Sequence, residues 1–209
     1  MYQHILFDLD GTLTDPGLGI KNSIRYALTK QKRPIPDDTI LNAFIGPPLI
    51  ETFMKYCAVN RREAEALLAD YREYFKEKGM FENKVYSDIP KMLEGLKNSG
   101  AHLYVATSKP EPFAKRILEH FDLARYFDFI GGSTLDETRT KKNEVIEYVL
   151  QKNCLSPEDC LMVGDRYYDI EGARKCGLKV AAVLFGYGDR EELNPADHLI
   201  SSPLELLEL

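Results

Sequence analysis

Residues 4–13 read His4-Ile-Leu-Phe-Asp-Leu-Asp-Gly-Thr-Leu13, an apolar run that ends in two carboxylates and a glycine. The apolar part is typical of a strand buried on both faces. Because side chains alternate along a strand, Asp8 and Asp10 point to the same side, and Gly11 allows a turn whose N–H groups can face an anion. Two partly buried carboxylates repel each other unless a cation or a shared proton compensates. The stretch therefore predicts a functional site at the end of the first strand.

Four further apolar runs of this kind follow, at residues 102–106, 126–130, 160–164 and 179–184. Helical patterns separate the later runs, and Gly100 and Gly177 follow two of these helices as expected C-terminal caps. Strands that alternate with helices predict an α/β fold with a doubly wound parallel sheet. In such a sheet, ligands bind beyond the carboxyl ends of the strands.

The stretch between the first strand and the helical pattern at Ile89 contains about 70 residues with no strand pattern, far more than an ordinary connection. Its apolar spacing is helical throughout. We expect residues 15–84 to form a smaller all-helical domain, inserted into a core made of residues 1–14 and 85–209.

The composition excludes several classes of protein. The 209 residues include 27 Lys and Arg against 33 Asp and Glu, for a net charge of −6, and the basic residues are interleaved with acids, which argues against nucleic-acid binding. No apolar run approaches the roughly 20 residues of a membrane span. The scattered residues Cys57, Cys154, Cys160 and Cys176 are expected to be free thiols in the core of a cytoplasmic protein.

A second acidic motif follows the run at residues 160–164. Asp165 comes directly after this strand pattern, and Asp169 lies four residues further on. Asp8 and Asp165 together offer oxygen ligands that suit Mg²⁺. Asp169 has an alternative explanation as a favourable charge at a helix N-terminus.

Hydroxyl and ammonium groups also lie near strand ends. Thr107, Ser108 and Lys109 follow one apolar run, and Lys142 precedes a helical pattern. A hydroxyl and a lysine suit the oxygens of a phosphoryl group. Each signal is weak alone, since such a Thr is commonly a helix cap and such a Lys a surface charge.

Taken in order, DLDGTL at residues 8–13, Thr107, Lys142 and GDRYYD at residues 164–169 resemble the four motifs of the haloacid dehalogenase-like (HAD) superfamily. The resemblance covers essentially the whole chain, and the insertion lies where that superfamily places its helical C1-type cap. It implies an HAD-like Rossmannoid core and a Mg²⁺-dependent phosphatase that works through an aspartyl phosphate.

The resemblance also implies a role for each acid. Asp8 is the expected nucleophile, and Asp10 the general acid that later activates water. Mg²⁺ is expected to be held by the Asp8 carboxylate, the Asp10 backbone carbonyl and Asp165, with Asp169 as an outer or water-mediated partner. Because Asp10 is present, phosphate transfer is favoured over carbon–halogen cleavage.

The remaining pocket residues follow from the same resemblance. Thr107 and Lys142 are expected to bind the transferring phosphoryl oxygens, and Lys142 is preferred over the adjacent Lys141 because of the surrounding pattern. The other expected substrate-binding residues in the core are Gly11, Thr12, Ser108 and Lys109.

The inserted domain is expected to select the substrate by closing over the site. Residues 44–49, which include Gly46 and Pro47, resemble the specificity loop of phosphoglycolate-phosphatase-like proteins. Lys21 and Arg25 could meet a carboxylate or a second phosphate, and a solvated helix face explains them equally well. We expect a small phosphorylated metabolite as the substrate.

Three alternatives stay open. A nucleoside monophosphate phosphatase (5′-nucleotidase) shares the core and a similar cap. A β-phosphoglucomutase-like mutase is less favoured because residues 14–16 contain no histidine. A phospho-signalling module without turnover is disfavoured by the insertion. The sequence is compatible with either a monomer or a homodimer.

Overall fold

The computed structural model describes residues 2–136 and 138–209, and it divides them into two compact units. One unit contains the described residues up to Thr14 together with Val85–Leu209, and the other is Asp15–Lys84. In chain order, the strands and α-helices of the described residues are β1 His4–Phe7, β2 Thr14–Asp15, α1 Gly17–Lys30, α2 Asp38–Asn42, α3 Leu49–Tyr56, α4 Arg61–Tyr74, β3 Lys84–Val85, α5 Ile89–Asn98, β4 His102–Pro110, α6 Glu111–His120, β5 Phe129–Ser133, α7 Lys142–Asn153, β6 Cys160–Gly164, α8 Tyr167–Lys175, β7 Lys179–Val183, α9 Arg190–Leu193 and β8 His198–Ile200.

The first unit is built on a parallel six-stranded sheet with the order β5-β4-β1-β6-β7-β8. Strand β1 lies between β4 and β6, and His4 is in register with both His102 and Cys160. The predicted α/β class and doubly wound parallel sheet are thereby confirmed. Because the three strands run the same way and start in register, their carboxyl ends meet at one edge of the sheet.

The central strands are buried on both faces, as their continuous apolar patterns predict. Ile5, Leu6 and Phe7 of β1 are at most 3% exposed. One side of the sheet packs against α7 and α8 through Val145, Val149 and other buried apolar side chains. This core fixes β1 and β6, so the residues at their carboxyl ends start from rigid positions.

The structure corrects the strand expected at residues 126–130. Ala124–Tyr126 form a short 3-10 helix, and the strand begins only at Phe129. The backbone N–H groups of Tyr126 and Phe127 donate to Leu123 and Ala124 through local turn bonds. Those donors are therefore not available to the sheet. The short edge strand β8 was not predicted, since three residues are too few to show a period.

The second unit is helical between its two ends. Its helices α1, α3 and α4 each bury an apolar stripe, which on α1 includes Ile20, Ile24 and Leu28. Helix α4 begins with a reciprocal capping box between Asn60 and Glu63.

The four cysteines are free, as expected, but they are not all buried. Cys160 is buried at the start of β6, whereas Cys154 is exposed in a left-handed turn that ends α7. Gly100 and Gly177 adopt positive φ angles after α5 and α8, which confirms their prediction as caps. Among the described residues, none of the helices has the length and apolar character needed to cross a membrane.

Asp128 links helix α5 to the start of β4. Its carboxylate accepts from Lys97 and His102 at 3.0 Å and from the Leu103 N–H at 3.2 Å. Burial by itself raises the pKa of Asp128, but the hydrogen bonds from Lys97 and His102 bring it below the usual aspartate value. A lowered pKa means that the charged form stabilises the folded state.

We predict that Asp128→Asn lowers the free energy of unfolding at pH 7 by about 0.5–1 kcal/mol, because solvent screens this half-exposed cluster. The carboxylate contributes fully above the ordinary aspartate pKa of about 4, and its contribution is lost as the pH falls through the lower folded pKa. The difference from wild type should therefore shrink below about pH 4. Urea titrations at pH 7 and at acid pH measure it, with the exposed Asp159→Asn as the control. A difference that grows in acid would contradict this assignment.

Candidate active site

The predicted acids meet at the carboxyl end of the sheet. Asp8 directly follows β1, and its backbone N–H donates to the carbonyl of Val163 in β6 at 2.9 Å. Asp165 directly follows β6, and Asp169 lies in the first turn of α8. All three acids are buried, and one carboxylate oxygen from each lies within 4.8 Å of the others. The parallel register of β1 and β6 brings these distant parts of the sequence together.

Lys142 lies among these carboxylates. It is the first residue of α7 and is 7% exposed. Its Nζ atom is 2.8 Å from Asp8 Oδ1 and 2.7 Å from Asp169 Oδ1, and it donates to the Ala106 carbonyl at 3.0 Å. Burial by itself lowers the pKa of Lys142, but the charges of Asp169 and Asp8 raise it above the usual lysine value. Lys142 therefore stays charged, whereas the adjacent Lys141 is exposed.

Both oxygens of Asp169 have protein partners. Oδ1 faces Lys142, and Oδ2 accepts from the backbone N–H groups of Asp165 at 3.1 Å and Arg166 at 3.0 Å. Burial raises the pKa of Asp169, although Lys142 opposes that shift. These contacts let the Asp169 carboxylate hold the loop after β6 in place. A negative charge is also favourable in the first turn of α8, where Asp169 lies.

Asp165 differs from Asp169 because only one of its two carboxylate oxygens contacts a protein donor. Its Oδ2 atom accepts from the Tyr187 N–H at 2.8 Å, whereas its buried Oδ1 atom has no hydrogen-bond partner among the described residues. Burial, followed by the negative charges of Asp169 and Asp8, raises the pKa of Asp165 well above the usual value. The nearby negative charges therefore outweigh the positive charge of Arg166 at this carboxylate.

Gly11 makes the close approach to Asp165 possible. It has a φ of 83°, in the region that favours glycine, and a Cβ atom at this position would lie 2.0 Å from Asp165 Oδ2. Its N–H donates to the Thr14 carbonyl at 2.7 Å. The neighbouring Thr12 is 1% exposed, and its Oγ1 atom has no hydrogen-bond partner among the described residues.

Asp10 has a lysine partner of its own. Lys109 Nζ lies 2.6 Å from Asp10 Oδ2, and both side chains are largely buried. Burial raises the pKa of Asp10 even though Lys109 lowers it. Thr107, at 1% exposure, accepts from the Lys109 N–H through its Oγ1 atom at 3.2 Å, and the half-buried Ser108 lies between them in β4. Thr107 and Lys109 of β4 thus lie at the same end of the sheet as Asp10, which follows β1.

The acid cluster fits a divalent cation. As carboxylates, Asp8, Asp165 and Asp169 carry three negative charges, and Lys142 supplies one positive charge among them. The net of two negative charges, together with the unsatisfied oxygen of Asp165, matches a hard cation with oxygen ligands.

The family model of the haloacid dehalogenase-like hydrolases matches residues 5–183. The chain belongs to this family. A predicted phosphatase from Clostridium acetobutylicum, known from its crystal structure, is 47% identical with a TM-score of 0.94, over 100% of this chain and 97% of that one.

Three curated relatives carry different names. A 5′-nucleotidase from Pseudomonas aeruginosa is 46% identical over 92% of this chain and 87% of its own length. Tyrosine-protein kinase PtkA from Mycobacterium tuberculosis is 38% identical over 89% of this chain, which covers 63% of that protein. A phosphoglycolate phosphatase from Aquifex aeolicus is 33% identical over 98% of this chain and 95% of its own length. The family match, the solved phosphatase structure and the phosphoglycolate phosphatase confirm the predicted enzyme class, a phosphatase-type HAD-like hydrolase.

This HAD-like site also uses residues that the motifs do not contain. The segment after β7 supplies Gly186, Tyr187 and Gly188, and a Cβ atom on Gly186 would lie 2.3 Å from Asp165 Cβ. The Gly188 N–H donates to the Asp165 carbonyl at 3.1 Å. The only signal in the sequence was a pair of glycines just after a predicted strand, a weak indication of close backbone approach.

The expected substrate residues of the inserted segment belong to the helical unit. Lys21 and Arg25 lie on α1, and Gly46 and Pro47 lie between α2 and α3. Arg25 pairs with Asp38 and donates to Asn22 Oδ1 at 3.2 Å. Within this unit, Arg25 therefore already has protein partners, and its contact with substrate stays a prediction.

We predict that Gly11→Ala destabilises this hydrolase by about 1–3 kcal/mol more than Gly100→Ala, because it adds overpacking against Asp165. Both glycines have positive φ, and a Cβ atom on Gly100 would meet nothing within 4 Å. Gly100→Ala should therefore cost only the strain of a non-glycine residue in a left-handed conformation, about 1–2 kcal/mol. Urea titrations of both variants measure the difference, and equal losses would show that the space beside Asp165 is larger than the structure indicates.

We predict that Lys142→Met lowers the free energy of unfolding at pH 7 by roughly 3 kcal/mol in metal-free protein, because it leaves two buried carboxylates without their shared cation. Lys141→Met removes the same charge from the exposed neighbour and should change stability by less than about 0.5 kcal/mol. Chemical denaturation with a metal chelator present tests the pair. Comparable losses in both variants would be incompatible with the central position of Lys142.

Proposed function

We propose that this protein is a Mg²⁺-dependent phosphomonoester hydrolase that works through an aspartyl phosphate on Asp8. The observation that carries the proposal is the position of Asp8, which is 8% exposed at the strand end, beside Lys142 and within the acid cluster. A fixed ammonium group next to a carboxylate lowers the repulsion that an incoming phosphate dianion would meet.

In the first step, an Asp8 carboxylate oxygen attacks phosphorus, and the bond between phosphorus and the leaving oxygen breaks. The leaving oxygen takes the electron pair of that bond together with a proton from the Asp10 carboxyl group. The raised pKa of Asp10 supports this role, because burial favours its protonated form. We propose that the Thr107 hydroxyl donates to a phosphoryl oxygen. Lys142, whose three N–H groups face Asp8, Asp169 and the Ala106 carbonyl, attracts the phosphoryl group through its charge.

In the second step, water attacks phosphorus while the Asp10 carboxylate accepts the proton of that water. The bond between phosphorus and Asp8 breaks, inorganic phosphate leaves, and both aspartates return to their starting forms. Splitting the displacement into two steps replaces one difficult reaction with two easier ones.

We propose that Asp8, Asp165 and the backbone carbonyl of Asp10 hold Mg²⁺. When bound, the ion would neutralise charge that develops on the phosphoryl group. The unsatisfied Oδ1 atom of Asp165 supports direct ligation. In Asp169, by contrast, Oδ1 forms an ion pair with Lys142, and Oδ2 accepts from two backbone N–H groups. Asp169 is therefore assigned to position Asp165 and Lys142.

We propose a nucleoside 5′-monophosphate as the first candidate substrate, with a phosphoglycolate-like ester as the second. The support for the first is the 46% identity to the 5′-nucleotidase, and the second rests on the 33% identity to the phosphoglycolate phosphatase. The helical unit, Asp15–Lys84, is proposed to act as the cap that selects between leaving groups. A cytoplasmic location is supported by the four free thiols.

We predict that Asp8→Asn lowers the turnover of every phosphoester by about a thousandfold or more, because the nucleophile is lost. Asp10→Asn should retain attack on p-nitrophenyl phosphate, whose leaving group needs no proton, and release about one equivalent of nitrophenolate in a burst. Rapid-mixing kinetics with Mg²⁺ measure both. Multiple turnover by Asp8→Asn would rule out the covalent intermediate.

The substrate is tested with a panel of nucleoside 5′-monophosphates, phosphoglycolate, sugar phosphates and pyrophosphate, with phosphate release as the readout. We expect the highest kcat/KM for a nucleoside monophosphate. If phosphoglycolate is preferred, the second candidate replaces the first. A stable phosphoprotein without multiple turnover would favour a signalling role over hydrolysis.

A further inference from the structure

We propose that Glu192 is a positioning residue that holds the loop of Asp165 in the geometry needed to bind the cation. The inference rests on the proposed function, because it concerns the cation site of that reaction. Glu192 lies in the four-residue helix α9, 27 positions after Asp165 in the chain, and it belongs to none of the four motifs.

The contacts of Glu192 are made to the residues that follow Asp165. Its Oε1 atom accepts from Arg166 Nε at 2.8 Å and from the Tyr167 backbone N–H at 2.7 Å. The carboxylate is about one-quarter exposed, and the Arg166 side chain is one-fifth exposed. A charge-assisted bond to a backbone N–H in this setting is short and directional. Glu192 therefore fixes both the main chain and a side chain of the loop.

Two other carboxylates complete the arrangement. Asp169 accepts from the backbone N–H groups of Asp165 and Arg166. Glu192 accepts from the next backbone N–H group, that of Tyr167. Glu192 is itself placed by Asp189, whose Oδ1 atom accepts from the Glu192 N–H at 2.8 Å as the N-cap of α9. Consecutive backbone N–H groups from Asp165 to Tyr167 are thus all bonded to carboxylates.

The same segment also contacts Asp165 directly. Tyr187 and Gly188 donate to the side chain and to the carbonyl of Asp165, and α9 begins two residues later. One short stretch, Gly186–Glu192, therefore contacts both Asp165 and the two residues that follow it. Residues that orient a metal ligand from outside the coordination sphere commonly change cation affinity by about 10- to 100-fold when removed.

The experiment compares Glu192→Ala, Glu192→Gln and the matched control Glu191→Ala, whose side chain is exposed on the same helix. Glu192→Gln keeps an amide oxygen that can accept both bonds, so it serves as the conservative rescue. Mg²⁺ binding to metal-free protein is measured by calorimetry, and amide hydrogen exchange at Arg166 and Tyr167 is measured by NMR in the absence of metal.

We expect Glu192→Ala to raise the dissociation constant for Mg²⁺ about tenfold and to speed exchange at Tyr167 about fivefold, the effect of one lost hydrogen bond. kcat at saturating Mg²⁺ should stay within about twofold of wild type. Glu192→Gln should recover most of both effects, and Glu191→Ala should match wild type.

The inference is overturned if Glu192→Ala and Glu191→Ala give the same dissociation constant for Mg²⁺, or if exchange at Tyr167 is unchanged. A loss of thermal stability in Glu192→Ala without a change in either readout would also overturn it, since that result marks a merely structural role. Failure of the proposed function looks different, because wild-type protein would then hydrolyse no phosphoester.

Discussion

Lys142 holds its ammonium group 2.8 Å from Asp8 and 2.7 Å from Asp169, inside a core where an isolated charge of either sign would be costly. The same group donates to the Ala106 carbonyl in β4. One cation therefore links the end of β1, the strand β4 and the first turn of α8. Without it, two buried carboxylates would lose their shared cation, so the acid cluster and its chemistry depend on this triple contact.

The second constraint is the close approach of the backbone to the carboxylates that Lys142 holds together. Several carboxylates can share a small space only if the backbone around them leaves room. Gly11 and Gly186 supply that room, because a Cβ atom at either position would overlap Asp165. The oxygen of Asp165 that faces no protein donor is then available for a cation. Packing and electrostatics thus support the same function.

Much of the fold and of the acid cluster could be predicted from local patterns. Short apolar runs reveal strands, and Asp8 and Asp165 follow their strands directly, so the parallel sheet brings them together. The contribution of Glu192 could not be predicted in this way. Its partner Tyr167 is 25 positions away in the chain, and nothing in the spacing of the α9 residues points to the loop that it holds.

By itself, the sequence determined the α/β class, the order of the motifs and the types of group at the strand ends, because these depend on periodicity and on neighbours in the chain. The tertiary structure decided that Lys142 rather than Lys141 lies in the acid cluster and that strand β5 begins at Phe129. It also decided that residues 186–192 pack beside Asp165. Those outcomes depend on contacts between distant segments, whose energies are set only when the backbone brings the charges and donors within hydrogen-bonding distance.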